Sequence, residues 1–258
     1  MALQLGRAVS DGIRRVFTRT GGILFVGLLA IQLLTQTAVN SAVLGFLPSE
    51  AMTEFAGSGG LALPVSGSVG LALFGVTSVL GAVYFVVLSR AFARPLRELS
   101  TFPAGYANRL GRATFSAVIG GIVVSISVGI GTVLLFLPGI FLAASFMFFI
   151  FAISVEDRGI YASLKRSWGL ARGSRLKLSL LVILSAVCGG IVGGVAPVLD
   201  LAGLPLVADL ATVVLTTVFF LPFYAIVASA YLQVRDDPGG GGGSETIGPV
   251  ETSQMAEL

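Results

Sequence analysis

Residues 113–155 read ATFSAVIGGIVVSISVGIGTVLLFLPGIFLAASFMFFIFAISV and contain no charged side chain. As a single α-helix, this run would be about twice as long as the hydrocarbon core of a bilayer is thick, because a helix rises ~1.5 Å per residue and the core measures ~30 Å. The run must therefore fold back on itself. Pro138-Gly139 is the strongest turn signal near its middle and predicts the position of the reversal.

The same length argument divides two other apolar parts of the chain into pairs of helices. Residues 22–46 and 69–92 flank a polar, Gly-rich connection at 48–68, and residues 178–198 and 207–234 flank a short connection at 200–205. Each apolar segment reaches the length of roughly 20 residues that crosses a bilayer. The sequence therefore predicts an all-α integral membrane protein with six transmembrane helices arranged as three hairpins.

Composition and charge agree with this class and set the topology. Apolar residues make up 55% of the chain and charged residues only 11%, against about 25% charged in soluble domains. All 16 Lys and Arg residues lie before the first helix, between the second and third, between the fourth and fifth, or after the sixth. Because basic residues near helix ends keep their loops in the cytoplasm, we predict a multi-pass protein of the cell membrane with both termini inside. The positive charge is thus expected to face lipid headgroups, with no nucleic acid as a partner.

Three regions follow one another along the chain. Residues 1–20 are predicted to form a cytoplasmic amphipathic segment, 21–235 the six-helix domain, and 236–258, which are Gly-rich and then acidic, a disordered cytoplasmic tail. A second basic, amphipathic stretch precedes the fifth helix, and both stretches are predicted to lie at the membrane interface, near anionic headgroups. Their apolar stripes are Val9, Ile13, Val16 and Phe17 in the first and Ile160, Leu164, Trp168 and Ala171 in the second.

Residue types that support catalysis or metal binding are scarce. The chain has no His, and Cys188 is its only cysteine, so the usual general base and an internal disulfide are both missing. No predicted helix carries Asp, Glu, Lys or Arg at mid-depth, where proton-coupled carriers and pumps usually place one. We therefore expect neither an enzyme nor a bound cofactor or metal.

Two helices carry polar residues at helical spacing. Gln32, Gln36 and Asn40 share one face of the first helix, and Asp209, Thr212 and Thr216 share one face of the sixth. One hypothesis is a polar cavity that opens outward. The interpretation we favour is interhelical hydrogen bonding, because polar side chains in apolar surroundings need partners.

The fifth helix carries small residues at four-residue spacing, namely Ser185, Gly189, Gly193 and Pro197, with Gly190 and Gly194 beside them. Small residues let helix backbones approach closely within a membrane. The pattern predicts packing inside the bundle, with homo- or hetero-oligomerisation through this face as the alternative.

The most distinctive sequence pattern surrounds the end of the fourth helix. It comprises Pro138-Gly139-Ile140, VEDRG at 155–159, ASLKRSW at 162–168, and then Leu170 and Gly173. This pattern resembles the membrane domain that accompanies glycerophosphoryl diester phosphodiesterases and, more closely, stand-alone archaeal relatives of that domain, whose function is unknown. The resemblance implies a membrane module without the catalytic barrel, which needs about 250 residues and has no counterpart here.

Glu156 lies where the fourth helix is predicted to leave the bilayer, close to Arg158 and the basic helix that follows. We expect this carboxylate to pin the turn and to dock the segment 162–170, which contains Trp168, against the bundle. The alternative is that Glu156, Lys165 and Arg166 bind a phosphate-bearing headgroup.

These observations favour a non-enzymatic accessory or scaffold protein of the cytoplasmic membrane. The alternative is a small-solute or lipid-handling transporter, and an intramembrane enzyme is third. A cavity lined by Gln32, Gln36 and Thr216 would favour transport, whereas a filled bundle interior would favour a scaffold.

Overall fold

The computed structural model describes residues 3–48, 60–101 and 109–236. These parts of the chain are all-α, as predicted, with nine α-helices and one short 3₁₀-helix at Leu96–Glu98. The predicted tail falls almost wholly outside the described residues. The helices are α1 (Leu5–Val16), α2 (Arg19–Phe46), α3 (Gly67–Phe92), α4 (Leu110–Leu134), α5 (Phe136–Phe146), α6 (Phe149–Ser154), α7 (Ile160–Ala171), α8 (Arg175–Leu201) and α9 (Pro205–Arg235).

Six membrane-spanning units account for most of this helix. They are α2, α3, α4, the pair α5–α6 at Phe136–Ser154, α8 and α9, and each is long and apolar enough to cross a bilayer. This confirms the six-helix prediction. The amphipathic stretches expected at the interface correspond to α1 and α7.

The reversal inside the long apolar run occurs earlier than predicted. Leu135, with φ −158° and ψ 127°, is the extended residue that separates α4 from α5. Pro138 and Gly139 instead lie in the first turn of α5, where proline is tolerated because first-turn N–H groups have no helical acceptor. Gly139 serves close packing across the hairpin, since a Cβ placed on Gly131 would lie 3.2 Å from the Gly139 Cα.

The fourth span is broken near its basic end, a feature that the sequence did not indicate. Met147 and Phe148 separate α5 from α6. The Phe148 ring is fully buried and lies 6.0 Å from the ring of Tyr231 on α9, while Phe151 of α6 stacks on the same tyrosine at 5.1 Å. The break thus directs the exit of the fourth span towards α9.

Hydrogen bonds collect the basic segments at one end of the bundle, which we call the basic end. Lys177 at the start of α8 donates to the Leu3 carbonyl at 2.6 Å, and Arg90 near the end of α3 donates to the Ser154 carbonyl at the end of α6 at 2.8 Å. The backbone N–H of Gln4 donates to the side-chain oxygen of Gln233 on α9 at 3.1 Å. By the positive-inside rule, this end is predicted to face the cytoplasm.

Both amphipathic helices bury small or polar side chains that lie off their apolar stripes, together with part of the stripes themselves. In α1 the buried residues are Ala8, Gly12 and Arg15, while Phe17 of the stripe is 86% exposed. In α7 the buried residues are Ser163, Ser167, Leu170 and Ala171, so the last residue of the stripe faces the bundle. The physical reason is that lipid can cover an apolar stripe, whereas close helix contact in a membrane needs small side chains.

The hydrophobic core lies towards the basic end. Its fully buried large side chains come from α3, α6, α9 and the break in the fourth span, and they include Leu88, Phe92, Phe148, Phe151, Leu221 and Tyr231. Further from this end the helices diverge, and clefts open between them. The fold is therefore a bundle packed at one end and open in its middle.

Candidate functional site

A polar cluster lies at the end of the bundle opposite the basic end. The Gln36 amide donates to Oδ1 of Asp209 at 2.8 Å, and the Asn40 amide donates to Oδ2 at 2.8 Å. The backbone N–H of Leu61 adds a third hydrogen bond to Oδ2 at 2.7 Å. The predicted amide face of the first span and the acid of the sixth therefore meet, as interhelical hydrogen bonding requires.

The other members of the two predicted polar faces lie elsewhere. Gln32 lines a cleft between α2, α3 and α4. The Thr212 hydroxyl donates to the Ala208 carbonyl of its own helix at 2.8 Å, and Thr216 lines a groove between α8 and α9. Gln32 and Thr216 thus belong to different openings in the bundle.

The cleft that contains Gln32 is the largest opening described. It has a volume of about 680 Å³ and adjoins a second opening of about 570 Å³ between α4, α5, α8 and α9. We call the two together the central cleft. They share the lining residues Ser125, Phe149, Ile150 and Tyr224.

Small residues create the central cleft. A Cβ added at Gly121 or Gly129 of α4 would meet nothing within 4 Å, and one added at Gly81 of α3 would meet only the edge of Ile31 at 3.9 Å. The backbones of these helices therefore border open space instead of packed side chains. Larger residues at these positions would fill the space.

The lining of the central cleft is apolar with a few neutral polar groups and no charged side chain. The Gln32 amide has no hydrogen-bond partner among the described residues. The hydroxyl of Ser78 donates to the Phe74 carbonyl at 2.7 Å, so its oxygen remains able to accept one further hydrogen bond. The polar lining residues are Gln32, Thr35, Thr77, Ser78, Ser125, Ser185 and Tyr224.

At the basic end, the VEDRG motif at residues 155–159 joins several helices, and we call this group of contacts the junction. Glu156 accepts hydrogen bonds from Arg158 Nε at 2.6 Å, from Arg166 Nε at 3.1 Å and from the Tyr231 hydroxyl at 2.9 Å. Burial raises the pKa of Glu156, but these three hydrogen bonds outweigh burial and leave its pKa below the usual value. Lys165, which was grouped with this site from the sequence, is exposed and takes no part in the junction.

The next residue extends the junction to the third span. Asp157 accepts a hydrogen bond from Arg109, the residue before α4, at 2.6 Å, and this bond is the main cause that lowers the pKa of Asp157. Asp157 has φ +50°, a left-handed backbone conformation that Asp tolerates better than most residues. The VEDRG motif thus ties the end of the fourth span to α4, α7 and α9.

Arg15 is a second junction residue, and sequence reasoning missed it. Its side chain is 6% exposed, and it donates to the carbonyls of Phe92 and Arg94 at 2.6 Å each and to the Ser229 hydroxyl at 3.1 Å. It therefore caps the end of α3, where helix carbonyls have no helical donor. Tyr231 and Arg109 were also missed, because neither stands in a motif that predicts its partner.

A single family model covers almost the whole of this architecture. It is described as a domain of unknown function, DUF7847, and it matches residues 3–234. The chain belongs to this family. The DUF7847 match covers α1 through α9, so the amphipathic N-terminal helix is part of the family unit together with the six spans. Searches of curated proteins and of solved structures found no match.

In this DUF7847 domain, Trp168 belongs to an aromatic group beside the junction. Its ring lies 5.6 Å from that of Phe141 and 5.8 Å from that of Phe146. The guanidinium carbon of Arg175 lies 4.5 Å from the Trp168 ring centre and 4.7 Å from the Phe141 ring centre. Trp168 thus connects α7 to α5 and α8, and it is not in contact with Glu156.

The small-residue face of α8 is not packed against the bundle at its glycines. A Cβ at Gly189, Gly190, Gly193 or Gly194 would meet nothing within 4 Å. Ser185, Gly189 and Gly193 instead border the α8–α9 groove of about 430 Å³. For these glycines the predicted packing inside the bundle is wrong, since helices α8 and α9 diverge around them.

Proposed function

We propose that the protein is a non-enzymatic, multi-pass protein of the cell membrane that binds an amphipathic, lipid-like molecule in its central cleft. The observation that carries the proposal is the pair of adjoining openings between the helices, which have volumes of about 680 and 570 Å³. A scaffold with a filled interior, which the sequence favoured, accounts for this cleft less well than the lipid-handling alternative.

The lining supports a lipid-like ligand over an ion or a sugar. Apolar side chains form most of it, and ligand pockets of this kind suit apolar bodies that are oriented by a few polar contacts. The lining includes no charged residue to compensate the desolvation of an ion. The free amide of Gln32 and the acceptor oxygen of Ser78 suit a ligand hydroxyl or ester.

The absence of histidine from the chain supports a non-enzymatic role. A serine nucleophile needs an adjacent base, and the central cleft is lined by no carboxylate, Lys or Cys. We likewise propose that the protein works without a cofactor. The kinship with membrane domains of phosphodiesterases, inferred from the 137–177 region, stays a proposal as well.

Photo-crosslinking in liposomes tests the proposal. A phospholipid with a photoreactive acyl chain is expected to label the wild-type protein at peptides of α3, α4 or α9 that line the cleft. Gly121→Leu, which places a side chain in the open space, is expected to reduce that labelling several-fold. Gly75→Leu is the matched control, because Gly75 also has no neighbour within 4 Å but does not line the cleft. Equal labelling of all three proteins would reject the proposal.

A scaffold role through self-association is the second candidate, and the open glycine face of α8 favours it. Cys188, the only cysteine in the chain, lies beside Gly189 and lines the same groove. If two copies meet through α8, oxidation of the reconstituted protein is expected to produce a disulfide-linked dimer through Cys188. Gly193→Leu would abolish the dimer, whereas a monomer that persists under oxidation would count against this candidate.

A further inference from the structure

Arg175 holds an uncompensated positive charge at the basic end of the bundle. Its guanidinium lies over the rings of both Trp168 and Phe141, at 4.5 and 4.7 Å from their centres. The Nε and Nη2 atoms are buried and have no hydrogen-bond partner. The third nitrogen, Nη1, is left as the donor that an external group can reach.

The two carboxylates of the 155–159 motif already have cationic partners. Glu156 pairs with Arg158 and Arg166, and Asp157 pairs with Arg109. No ion pair among the described residues includes Arg175. A guanidinium that is partly withdrawn from water and has no acceptor is costly, and an external anion would lower that cost.

An apolar groove lies further along α5 and α8, the helices that carry Phe141 and Arg175, and it also borders α4. The groove has a volume of about 400 Å³ and is lined by Ile140 and Ala143 of α5 and by Val182, Ile183, Ala186 and Val187 of α8. Val182 follows Arg175 by two helical turns, or about 10 Å along α8. A cationic group at the membrane boundary and an apolar groove beyond it match the two parts of a phospholipid.

We propose that Arg175 binds the phosphate of an anionic phospholipid, whose acyl chain lies in the α5–α8 groove. Nη1 donates to a phosphate oxygen, and the rings of Trp168 and Phe141 hold the guanidinium plane in place. This site differs from the alternative headgroup site at Glu156, Lys165 and Arg166, where the guanidinium of Arg166 already donates to Glu156. The groove adjoins the central cleft, with which it shares Val128, Ala143 and Val182, whereas Arg175 lines neither opening of that cleft.

Fluorescence quenching offers a direct test, because Trp168 is the only tryptophan in the chain. The full-length protein is reconstituted in phosphatidylcholine vesicles that contain increasing fractions of phosphatidylglycerol brominated near the headgroup end of its chains. Quenching of Trp168 is expected to saturate at a low fraction of brominated phosphatidylglycerol. Brominated phosphatidylcholine is expected to quench only in proportion to its amount.

Three variants separate a specific site from general attraction. Arg175→Gln is expected to raise the phosphatidylglycerol fraction needed for half-quenching by about tenfold, the loss of one charge-assisted hydrogen bond. Arg172→Gln removes the same charge at an exposed neighbouring position. It is expected to leave the phosphatidylglycerol fraction for half-quenching unchanged. Ala186→Phe, which fills only the groove, is expected to weaken quenching while Arg175 stays intact.

The outcomes decide the proposal. Equal effects of Arg175→Gln and Arg172→Gln would mean that only net charge attracts lipid and would overturn it. Unbrominated phosphatidylglycerol is expected to compete with the brominated lipid and relieve the quenching. If millimolar inorganic phosphate relieves the quenching as well, the site binds free phosphate and the lipid is rejected. Unchanged quenching in Ala186→Phe would reject the groove as the acyl-chain site.

Discussion

The hydroxyl of Tyr231 donates a hydrogen bond of 2.9 Å to Oε1 of Glu156. This bond joins the exit of the fourth span to the last turns of the sixth, two segments that lie 75 residues apart in the chain. Arg166 donates to the same carboxylate from α7. One carboxylate therefore holds together a span end, a neighbouring span and an amphipathic helix.

Replacing Glu156 is expected to destabilise the protein. Glu156→Ala leaves Arg166 and the Tyr231 hydroxyl without their acceptor and is expected to cost about 1–3 kcal/mol. Glu156→Gln keeps an acceptor for Tyr231 and should cost less. Thermal unfolding of purified variants measures both effects. If Glu156→Ala were as stable as the wild type, the hydrogen bonds of Glu156 would contribute nothing to the stability of the fold.

Acidic pH should remove the contribution of Glu156 to the stability of the folded protein. Because the pKa of Glu156 in the folded protein is lowered from its usual value of 4.5, its stabilising effect is present above that value and is lost as the pH falls through the lowered pKa. The stability difference between wild type and Glu156→Gln is therefore expected to stay constant from pH 7 to about pH 5 and to shrink below the usual value. A difference that grows on acidification would contradict this sign.

Arg15 is expected to be the most sensitive residue of α1. Arg15→Gln removes the charge that caps the carbonyls of Phe92 and Arg94, at an expected cost of roughly 1.5–3 kcal/mol. The control is Arg14→Gln, since Arg14 is exposed and surface changes usually stay within about 0.5 kcal/mol. Unfolding temperatures of the two variants in one detergent make the comparison. Similar losses in both would indicate a general effect of charge.

The cluster opposite the basic end should depend on Asp209. Asp209→Leu removes three hydrogen bonds, and at about 0.6 kcal/mol each within a membrane the expected cost is about 2 kcal/mol. Hydrogen exchange at the Leu61 amide should also speed up, because its acceptor is lost. Asp200→Leu, at an exposed acid at the same end, serves as the control. Unchanged exchange at Leu61 would mean that the segment is held by other contacts.

The predicted orientation can be checked by thiol labelling of whole cells. In a Cys188→Ser background, a cysteine at Ser66 should react with a membrane-impermeant reagent, because Ser66 is exposed at the end opposite the basic one. A cysteine at Ser100, exposed at the basic end, should be protected until the cells are opened. The reverse pattern would invert the topology. Ser58, which suits the same test, lies outside the described residues.

Removal of residues 237–258 is expected to leave the protein intact. The family match ends at residue 234, and the Gly-rich, acidic composition of the tail predicts no packed structure. Membrane insertion and thermal unfolding of the shortened chain should equal those of the full chain. A lower unfolding temperature would reveal that the tail docks on the bundle.

Helix number and membrane class were predictable because they depend on length and hydropathy alone. The reversal at Leu135 was not, because proline is compatible with the first turn of a helix as well as with a turn. The break at Phe148 depends on a tertiary contact, the buried packing of that ring against Tyr231. No local signal in the sequence carries such a contact.

The candidate sites were predictable only in part, for a related reason. Gln36, Asn40 and Asp209 could be found because polar residues are conspicuous in apolar helices and must be paired. The central cleft could not, because Gly121 and Gly129 have the same sequence pattern whether they border a cavity or a neighbouring helix. Arg15 could not, because it lies in a run of exposed arginines and its acceptors include backbone carbonyls 77 and 79 residues away.

The contacts of Arg15 also bear on how the chain is assembled. Its acceptors lie at residues 92 and 94 at the end of the second span and at residue 229 in the sixth. During synthesis the first of these partners emerges early, whereas Ser229 emerges only after every span has been made. The full set of Arg15 contacts can therefore form only after the sixth span has been synthesised, and the N-terminal helix reaches its final position last.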